Sequence, residues 1–204
     1  MSGDYGTLQN RIADELSRSD LAAQIRNAVQ SAIAFHESER FWFNEGESTA
    51  ATAAGTQAYA VPADFLEADA LTLTASGNRH PLTMRPWAWM RDIDVAAASR
   101  GRPGDWAYYA DDIWLYPVPD GVYTLTLSYL KRLAALSASG DTNAWMTFGE
   151  ELIRARAKAD IFAHVLRDYD EALAMKQLET EALANLRVKS AKKLSSGRLL
   201  PTGF

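Results

Sequence analysis

Residues 106–129 read WAYYADDIWLYPVPDGVYTLTLSY, and their pattern determines the expected architecture of the chain. From Tyr123 to Tyr129, apolar or aromatic side chains alternate strictly with threonine and serine. A period of two places each set on its own face of a strand, so this segment is predicted to be a half-buried strand. The shorter runs 106–109 and 113–116 flank Ala110-Asp111-Asp112 and predict a tight hairpin. The centre of the chain is therefore expected to be β-structure.

Further turns and strands extend this β-region towards both chain ends. Residues 71–74 (LTLT) alternate with period two, and Ser76-Gly77-Asn78 predicts a turn before a strand over 80–84. Residues 117–121 (PVPDG) predict another turn, in which Gly121 is free to adopt a positive φ. One short helix from Trp87 to Ala98 is expected to lie across the sheet. Together these patterns indicate a small antiparallel sheet of four to six strands.

Helical periodicity appears on both sides of the β-region. Four stripes of apolar residues have helical spacing: Leu8, Ile12 and Leu16; Leu21, Ile25, Val29 and Ile33; Ile153, Ala157, Ile161 and Val165; and Leu178, Ala182 and Leu186. Asp20 is the expected N-cap of the second helix, and Asp141 or Thr142 that of the third. Because one apolar stripe cannot bury itself, helices from both chain ends are expected to pack together.

The predicted fold is α+β and mainly α. It is a bundle of about four helices from both chain ends, with an inserted small antiparallel β-region and an extended C-terminal arm. The expected boundaries are 1–40 for the N-terminal helices, 41–131 for the β-region with its short helix, 132–188 for the C-terminal helices and 189–204 for the arm. The arm is predicted because its serines, glycines and proline show no sustained periodicity.

Composition and charge exclude several classes of protein. The chain has 204 residues, 48% of them hydrophobic and 23% charged, and no cysteine, which excludes a disordered chain, a disulfide-stapled module and a Cys-ligated zinc site. No secretory signal or membrane-spanning segment is expected. The net charge of −5 combines a basic C-terminus, from Arg187 onward, with an acidic remainder. That acidic remainder argues against general binding of nucleic acid.

No motif of a catalytic or cofactor site is present. The sequence lacks a nucleophile elbow, a phosphate-binding loop and a dinucleotide-binding fingerprint. His36, His80 and His164 lie in unrelated segments without a second ligand at helical spacing, so no metal or cofactor is expected.

Carboxylate pairs need separate treatment, because two carboxylates suffice to cleave a glycosidic bond. The candidates are Glu37, Glu39, Glu45, Asp111 and Asp112. A glutamate beside the aromatic residues 41–43 could have a raised pKa, whereas solvated surface carboxylates and a simple turn explain the same residues without catalysis.

Aromatic side chains crowd the predicted hairpin. Stacking on bases or sugars calls for interleaved basic residues, and none occurs between Asp105 and Tyr129. Cross-strand aromatic pairs or a protein-facing patch are the better interpretation. The residues predicted for such a protein interface are Trp106, Tyr108, Tyr109 and Trp114.

Short motifs in a fixed order carry a resemblance to a known family. Residues 39–45 read ERFWFNE after a predicted helix, and residues 52–65 read TAAGTQAYAVPADF. With LYPVPD at 115–120 and the strand ending at Tyr129, the chain resembles the head-to-tail adaptor proteins of tailed bacteriophages, found below the portal in podovirus-like virions. The resemblance covers most of the chain.

The resemblance implies a structural protein of the virion, made in the host cytoplasm and placed at the head–tail junction, without catalytic residues, cofactor or membrane. Members form a ring of twelve copies on the portal protein, extend the DNA channel and dock the next tail component (a nozzle, tail-tube or stopper protein), while packaged DNA passes without sequence-specific binding. The hairpin aromatics would then form a subunit or tail interface. A C-terminal extension commonly binds the portal, and the matching residues here are Lys192, Lys193, Arg198, Leu199, Leu200 and Phe204.

Two other functions remain open at the level of sequence. A peptidoglycan-cleaving virion enzyme using glutamate carboxylates predicts clearing of peptidoglycan that is lost in a Glu45→Gln variant. A cytoplasmic helical regulator whose basic tail binds nucleic acid predicts a steep salt dependence of that binding.

Overall fold

The computed structural model describes residues 3–94 and 96–194. The chain forms two compact units, each of which is described by itself. The helical unit combines the residues up to Asn44 with those from Leu133 onward, and the β unit is the continuous segment Glu45–Arg132.

The helices of the described residues are α1 (Tyr5–Leu16), α2 (Ala22–His36), α3 (Trp87–Ile93), α4 (Ala144–Phe148), α5 (Glu150–Ile161) and α6 (Tyr169–Leu194). A π-helical segment, Phe162–Leu166, continues α5. Of the helices in the described residues, α3 is the one that belongs to the β unit.

Caps explain where the helices of the helical unit begin. The Asp4 carboxylate accepts the Thr7 N–H at 2.7 Å, at the start of α1. The expected cap of α2 is wrong, because Asp20 forms an ion pair with Arg18 at 2.7 Å. The cap expected at Asp141 or Thr142 is also wrong, because the helix that contains Ile153 begins after Gly149 without a side-chain cap. Asn143 caps the separate short helix α4, where its side-chain oxygen accepts the Trp145 N–H at 2.9 Å.

The core of the helical unit contains most of the predicted apolar stripes, but Val165 and Leu178 of the third and fourth stripes are exposed. The buried members include Leu8, Ile12, Ile25, Val29, Ile153, Ala157, Ile161, Ala182 and Leu186. Phe41 and Trp145 are buried in the same core, so the segment after α2 packs on the same residues as the helices do.

The strands of the β unit are β1 (Glu45–Ala51), β2 (Ala58–Ala60), β3 (Phe65–Ala75), β4 (Asn78–Pro81), β5 (Thr83–Met84), β6 (Arg100–Gly101), β7 (Asp105–Tyr109), β8 (Asp112–Tyr116), β9 (Val118–Pro119) and β10 (Thr124–Lys131). They form three sheets with the orders β1-β10-β3-β4, β2-β8-β7-β5 and β6-β9. The alternating leucines of β3 and β10 meet Trp106, Ile113 and Leu115 in one core.

Two predicted hairpin turns are confirmed. Ala110 and Asp111 have φ of 51° and 62° between β7 and β8, and Ser76 and Gly77 have φ of 50° and 79° between β3 and β4. Positive φ at both central residues matches the twist of the flanking strands. The turn predicted at 117–121 is wrong in part, because Val118–Pro119 form the short strand β9 and Gly121 does not have a positive φ.

The expected fold class is wrong in its proportions. The described residues form six helices and ten strands in three sheets, an α+β arrangement, rather than a mainly helical bundle of about four helices with a small β insert. The expected strand over 80–84 is divided, because Leu82 separates β4 from β5 and these strands join different sheets. Two strand pairs, β5–β7 and β6–β9, are parallel rather than antiparallel. Strands of two residues carry no detectable periodicity, so the sequence pattern did not show them.

The C-terminal arm does not begin where the sequence pattern placed it. Residues 189–194 belong to α6, which continues to Leu194. The remainder of the expected arm, residues 195–204, lies outside the described residues. Within the described part of the chain, no helix is long and apolar enough to span a membrane.

Candidate interaction surfaces

The segment after α2 owes its shape to one buried asparagine. Asn44 is 1% exposed; its side-chain oxygen accepts the Phe41 N–H at 2.8 Å, and its side-chain nitrogen donates to the Glu39 carbonyl at 2.7 Å. Only a side chain with both a donor and an acceptor of this size can satisfy the two backbone groups together. This explains why an asparagine stands next to the aromatic residues in the motif ERFWFNE.

The aromatic residues of this motif attach it to α4. Phe41 and Phe43 contact the Trp145 ring edge to face, with centroids 5.8 and 5.3 Å apart. Phe148 stacks on Phe43 at 5.9 Å and contacts Trp42 at 5.2 Å. Such ring pairs contribute roughly 0.5–1.5 kcal/mol each beyond the area they bury. We call residues 39–44 the junction segment.

The junction segment also holds the C-terminal turns of α6. The Trp42 N–H donates to the Ser190 hydroxyl at 3.0 Å, and Arg187 donates to both Glu39 carboxylate oxygens, with a shortest distance of 2.7 Å. The Lys193 ammonium lies over the Trp42 ring, 4.6 Å from its centroid. The last described turn of α6 is therefore fixed to the segment that carried the family resemblance.

The predicted portal-binding residues divide into three groups. Lys193 already contacts aromatic rings of its own chain. Lys192 is exposed and makes no hydrogen bond or ion pair with the described residues. Arg198, Leu199, Leu200 and Phe204 lie outside the described residues.

A buried polar cluster lies on the same helices. His36, 2% exposed, places its Nε2 3.0 Å from Oε1 of Glu179, which also accepts from Arg156 at 3.5 Å. Burial lowers the pKa of His36, and the Glu179 carboxylate offsets part of that effect. Arg156 in turn lies over the Phe35 ring at 3.9 Å and 3.4 Å from Asp160. The cluster stabilises contacts between α2, α5 and α6.

The hairpin β7–β8 keeps only part of its predicted interface on the surface. Tyr109 is 48% exposed and Tyr108 is 37% exposed, whereas Trp106 is 1% exposed and lies in the core, so the β unit does not present it to a partner. Trp114 is half-buried and donates its indole N–H to the Tyr109 carbonyl at 3.2 Å.

Helix α3 adds aromatic residues to this surface that sequence reasoning missed. Trp87 stacks on Tyr109 with centroids 4.4 Å apart and ring planes 3° apart, and it contacts Trp114 at 5.0 Å. Arg85 lies over Trp89 at 5.0 Å and donates to Asp105 at 2.7 Å. Two tryptophans two residues apart in the sequence were the available signal, but their contact with the hairpin depends on tertiary packing.

Four of the five candidate catalytic carboxylates are engaged in structural contacts, and Asp112 makes no side-chain hydrogen bond or ion pair with the described residues. Glu39 pairs with Arg187, and Asp111 accepts the Tyr108 hydroxyl at 2.7 Å. Glu37 and Glu45 also have partners. Across residues 3–94 and 96–194, no group of three or more His, Asp or Glu side chains is placed to hold a metal ion.

Comparison with known proteins gives one family. A family model described as SU10 adaptor protein matches residues 4–200, which is nearly the whole chain, and it includes both units and the junction segment. No curated protein matched the sequence. The match confirms the resemblance that the motifs carried: the chain belongs to the SU10 adaptor protein family, a family of phage head-to-tail adaptors.

Proposed function

We propose that the protein forms a ring of twelve copies beneath the portal, extends the DNA channel and docks the next tail component. The observation that carries the proposal is the family match over residues 4–200. As a phage adaptor protein, the chain is a virion component with a structural role. The ring, its copy number and its docking partners are the parts that go beyond the family match.

The C-terminal residues are the portal-binding element of the proposal. Its members are Lys192, Lys193, Arg198, Leu199, Leu200 and Phe204. The contacts of Glu39 with Arg187 and of Trp42 with Ser190 fix the turn of α6 from which these residues continue. A fixed starting point lowers the entropy cost of docking the residues beyond it, which favours this end of the chain as the docking element.

The aromatic surface of the β unit is the tail-binding or subunit-binding element. Tyr109 and Trp114 contact Trp87, while Tyr108, on the other face of the same strand, contacts Phe65 and donates its hydroxyl to Asp111. Aromatic side chains that are ordered before binding lose little entropy in an interface, and they are enriched in protein interfaces. The surface therefore suits a protein partner.

The net negative charge supports passage of DNA without adhesion. The chain carries 26 acidic and 21 basic side chains, and five of the basic ones lie in the portal-binding end from Arg187 onward. DNA binding depends on neutralising phosphates with lysine and arginine, so an acidic body does not hold the genome as it slides past.

Binding of purified chain to the portal ring of the same phage tests the proposal. We expect deletion of residues 199–204 to weaken portal binding at least tenfold and to leave the circular dichroism spectrum unchanged. A matched Tyr109→Ser variant should keep portal binding and lose affinity for the next tail component. Full portal affinity in the truncated chain would refute the role of the arm. A wild-type chain that ignores the portal at micromolar concentration would refute the proposed function.

A further inference from the structure

The four-stranded sheet β1-β10-β3-β4 ends in two edges of opposite charge. In the described part of the chain, no strand pairs with the outer side of β1 or of β4. β1 carries Glu45 and Glu47, while β4 carries Arg79 and His80. Unpaired strand edges present free backbone donors and acceptors, and natural proteins usually cover or charge them.

The sheet face beside the acidic edge is concave. A groove of about 520 Å³ crosses β1, β10 and β3 and is lined by Glu45, Gly46, Glu47, Asp69 and Ser128. The Glu47 carboxylate accepts the Ser128 hydroxyl at 3.2 Å and has no cationic partner among the described residues. Lys131 on β10 packs over Gly46, where a Cβ would lie 3.1 Å from Cδ of Lys131, but the groove lining itself remains acidic.

The basic edge has no carboxylate partners of its own. Arg79 makes no hydrogen bond or ion pair with the described residues. Arg102 places its Nη1 3.3 Å from Nε2 of His80 and pairs with no carboxylate in the same part of the chain. Two guanidinium groups therefore lie at or beside this edge with their charge uncompensated.

The strand directions suit a joint between the two edges. β1 and β3 both run antiparallel to β10, and β4 runs antiparallel to β3, so β4 runs antiparallel to β1. Two copies in the same orientation would thus bring β4 of one copy against β1 of the next as antiparallel strands. Arg79 is level with Ala51 in the sheet, so an offset of four residues between the copies, about 13 Å along the strands, brings it beside Glu47. Different patches on opposite sides of a subunit make a heterologous contact, which closes into a ring when the rotation between copies allows it.

We propose that copies of this chain join head to tail through the β unit, with the basic β4 edge (Arg79, His80 and Arg102) of one copy against the acidic β1 edge of the next, where Glu47 is the carboxylate without a cationic partner among the described residues. The inference rests on the proposed function and names the surfaces that would form the ring. Because sheets twist by roughly 20–25° per strand, a continuous hydrogen-bonded ladder through every copy would wind into a fibre. Ion pairs between side chains therefore carry the joint.

A second copy is the occupant that the charges favour. The two edges carry opposite charges, and every copy of the chain has one acidic edge and one basic edge. A nucleic acid would satisfy only the β4 edge and would be repelled by the β1 edge.

Charge reversal tests the joint. We expect Glu47→Arg or Arg79→Glu alone to raise the concentration needed to fill the portal ring at least tenfold, because like charges then meet at every joint. The variant with both reversals should assemble as the wild type does. An equimolar mixture of the two single variants should also assemble, as an alternating ring with an even number of copies. Glu151→Arg, an exposed reversal in the helical unit, is the matched control and should change nothing.

The outcomes separate this inference from the function on which it rests. Single variants that fill the ring as the wild type does would overturn the joint and leave the adaptor function standing. The joint would also be overturned if all variants fold but neither the mixture of the two single variants nor the double variant fills the portal ring. The two charges would then not face each other. A wild-type chain that never joins the portal would refute the proposed function itself.

Discussion

The helical unit and the β unit differ in where their charges find partners. In the helical unit, Arg11 pairs with Glu150, Glu15 with Arg154 and Lys158, and Glu39 with Arg187, at shortest distances of 2.7 Å. These pairs join residues 139 to 148 positions apart, so they connect the two ends of the chain. In the β unit, Arg79, Arg102 and Glu47 have no counterion among the described residues.

This difference indicates a division of labour. The helical unit is assembled from two distant segments, and its internal ion pairs and the junction segment hold them together. The β unit is one continuous segment whose hairpins form locally, so its charged edges are not needed to close the fold. Charges that the fold does not use are available to partners, and this is the basis of the proposed joint between copies.

The largest effect on stability is expected at Trp145, the buried indole on which the junction segment packs. Trp145→Ala should lower the free energy of unfolding by roughly 3–5 kcal/mol, because Trp145 is 1% exposed and in contact with Phe41 and Phe43. Urea denaturation measures the change. Tyr169→Ala, at a side chain that is 70% exposed, is the control and should change it by less than about 0.5 kcal/mol. Equal losses in both variants would contradict the packing described here.

The next largest effect is expected at the buried amide of the junction segment. Asn44→Ala should cost roughly 1–3 kcal/mol, since it leaves the Phe41 N–H and the Glu39 carbonyl without their partner. Chemical denaturation with Asn27→Ala, an exposed position on α2, as the control measures the loss. If Asn44→Ala behaved like its control, the asparagine would not be what closes the turn.

The buried histidine should make the helical unit sensitive to acid. Because burial lowers the pKa of His36 in the folded chain, the unfolded chain binds the proton more readily. The stability due to the neutral imidazole is therefore fully present above the ordinary histidine pKa of about 6.5 and is lost as the pH falls below it. The charges of Glu179 and Glu39 oppose this lowering of the His36 pKa, whereas the charge of Arg156 adds to it.

A His36→Gln variant measures this contribution. We expect its free energy of unfolding to fall less between about pH 7 and about pH 5 than that of the wild type. His164→Gln, at an exposed position, should keep the wild-type slope. A steeper slope in His36→Gln would mean that the folded state prefers the protonated ring.

The smallest effect is expected from the exposed ion pairs that join α1 to α5. Arg154→Ala removes one partner of Glu15 and should cost no more than about 1 kcal/mol, because Lys158 remains at 2.7 Å and solvent screens the site. The cost should shrink further in about 1 M salt. Thermal denaturation at low and high salt measures it, and a large, salt-independent loss would point to packing rather than charge.

Periodicity predicted the long elements and missed the short ones. The stripe of Leu8, Ile12 and Leu16 became α1, and the LTLT run lies inside the eleven-residue strand β3. The break between α4 and α5 at Gly149 was not predicted, and a glycine is needed there because a Cβ would lie 2.7 Å from Cε3 of Trp145. Helix α6 continues to Leu194 because its last turns gain contacts with Trp42 that no local pattern reveals.

The candidate surfaces were predictable only in part. The tyrosines of the β7–β8 hairpin were visible in the sequence, whereas burial of Trp106 and stacking of Trp87 on Tyr109 result from the packing of α3 and the sheets. The opposite charges of the two sheet edges became apparent only once the order β1-β10-β3-β4 was known.

Native mass measurement of the full chain, alone and mixed with the portal ring of the same phage, is the sharpest test of assembly on the portal. We expect a species near 22.5 kDa for the chain alone, and a complex whose added mass corresponds to about twelve copies when portal is present. A chain that adds no mass to the portal ring at micromolar concentration would contradict the claim that this protein assembles on the portal.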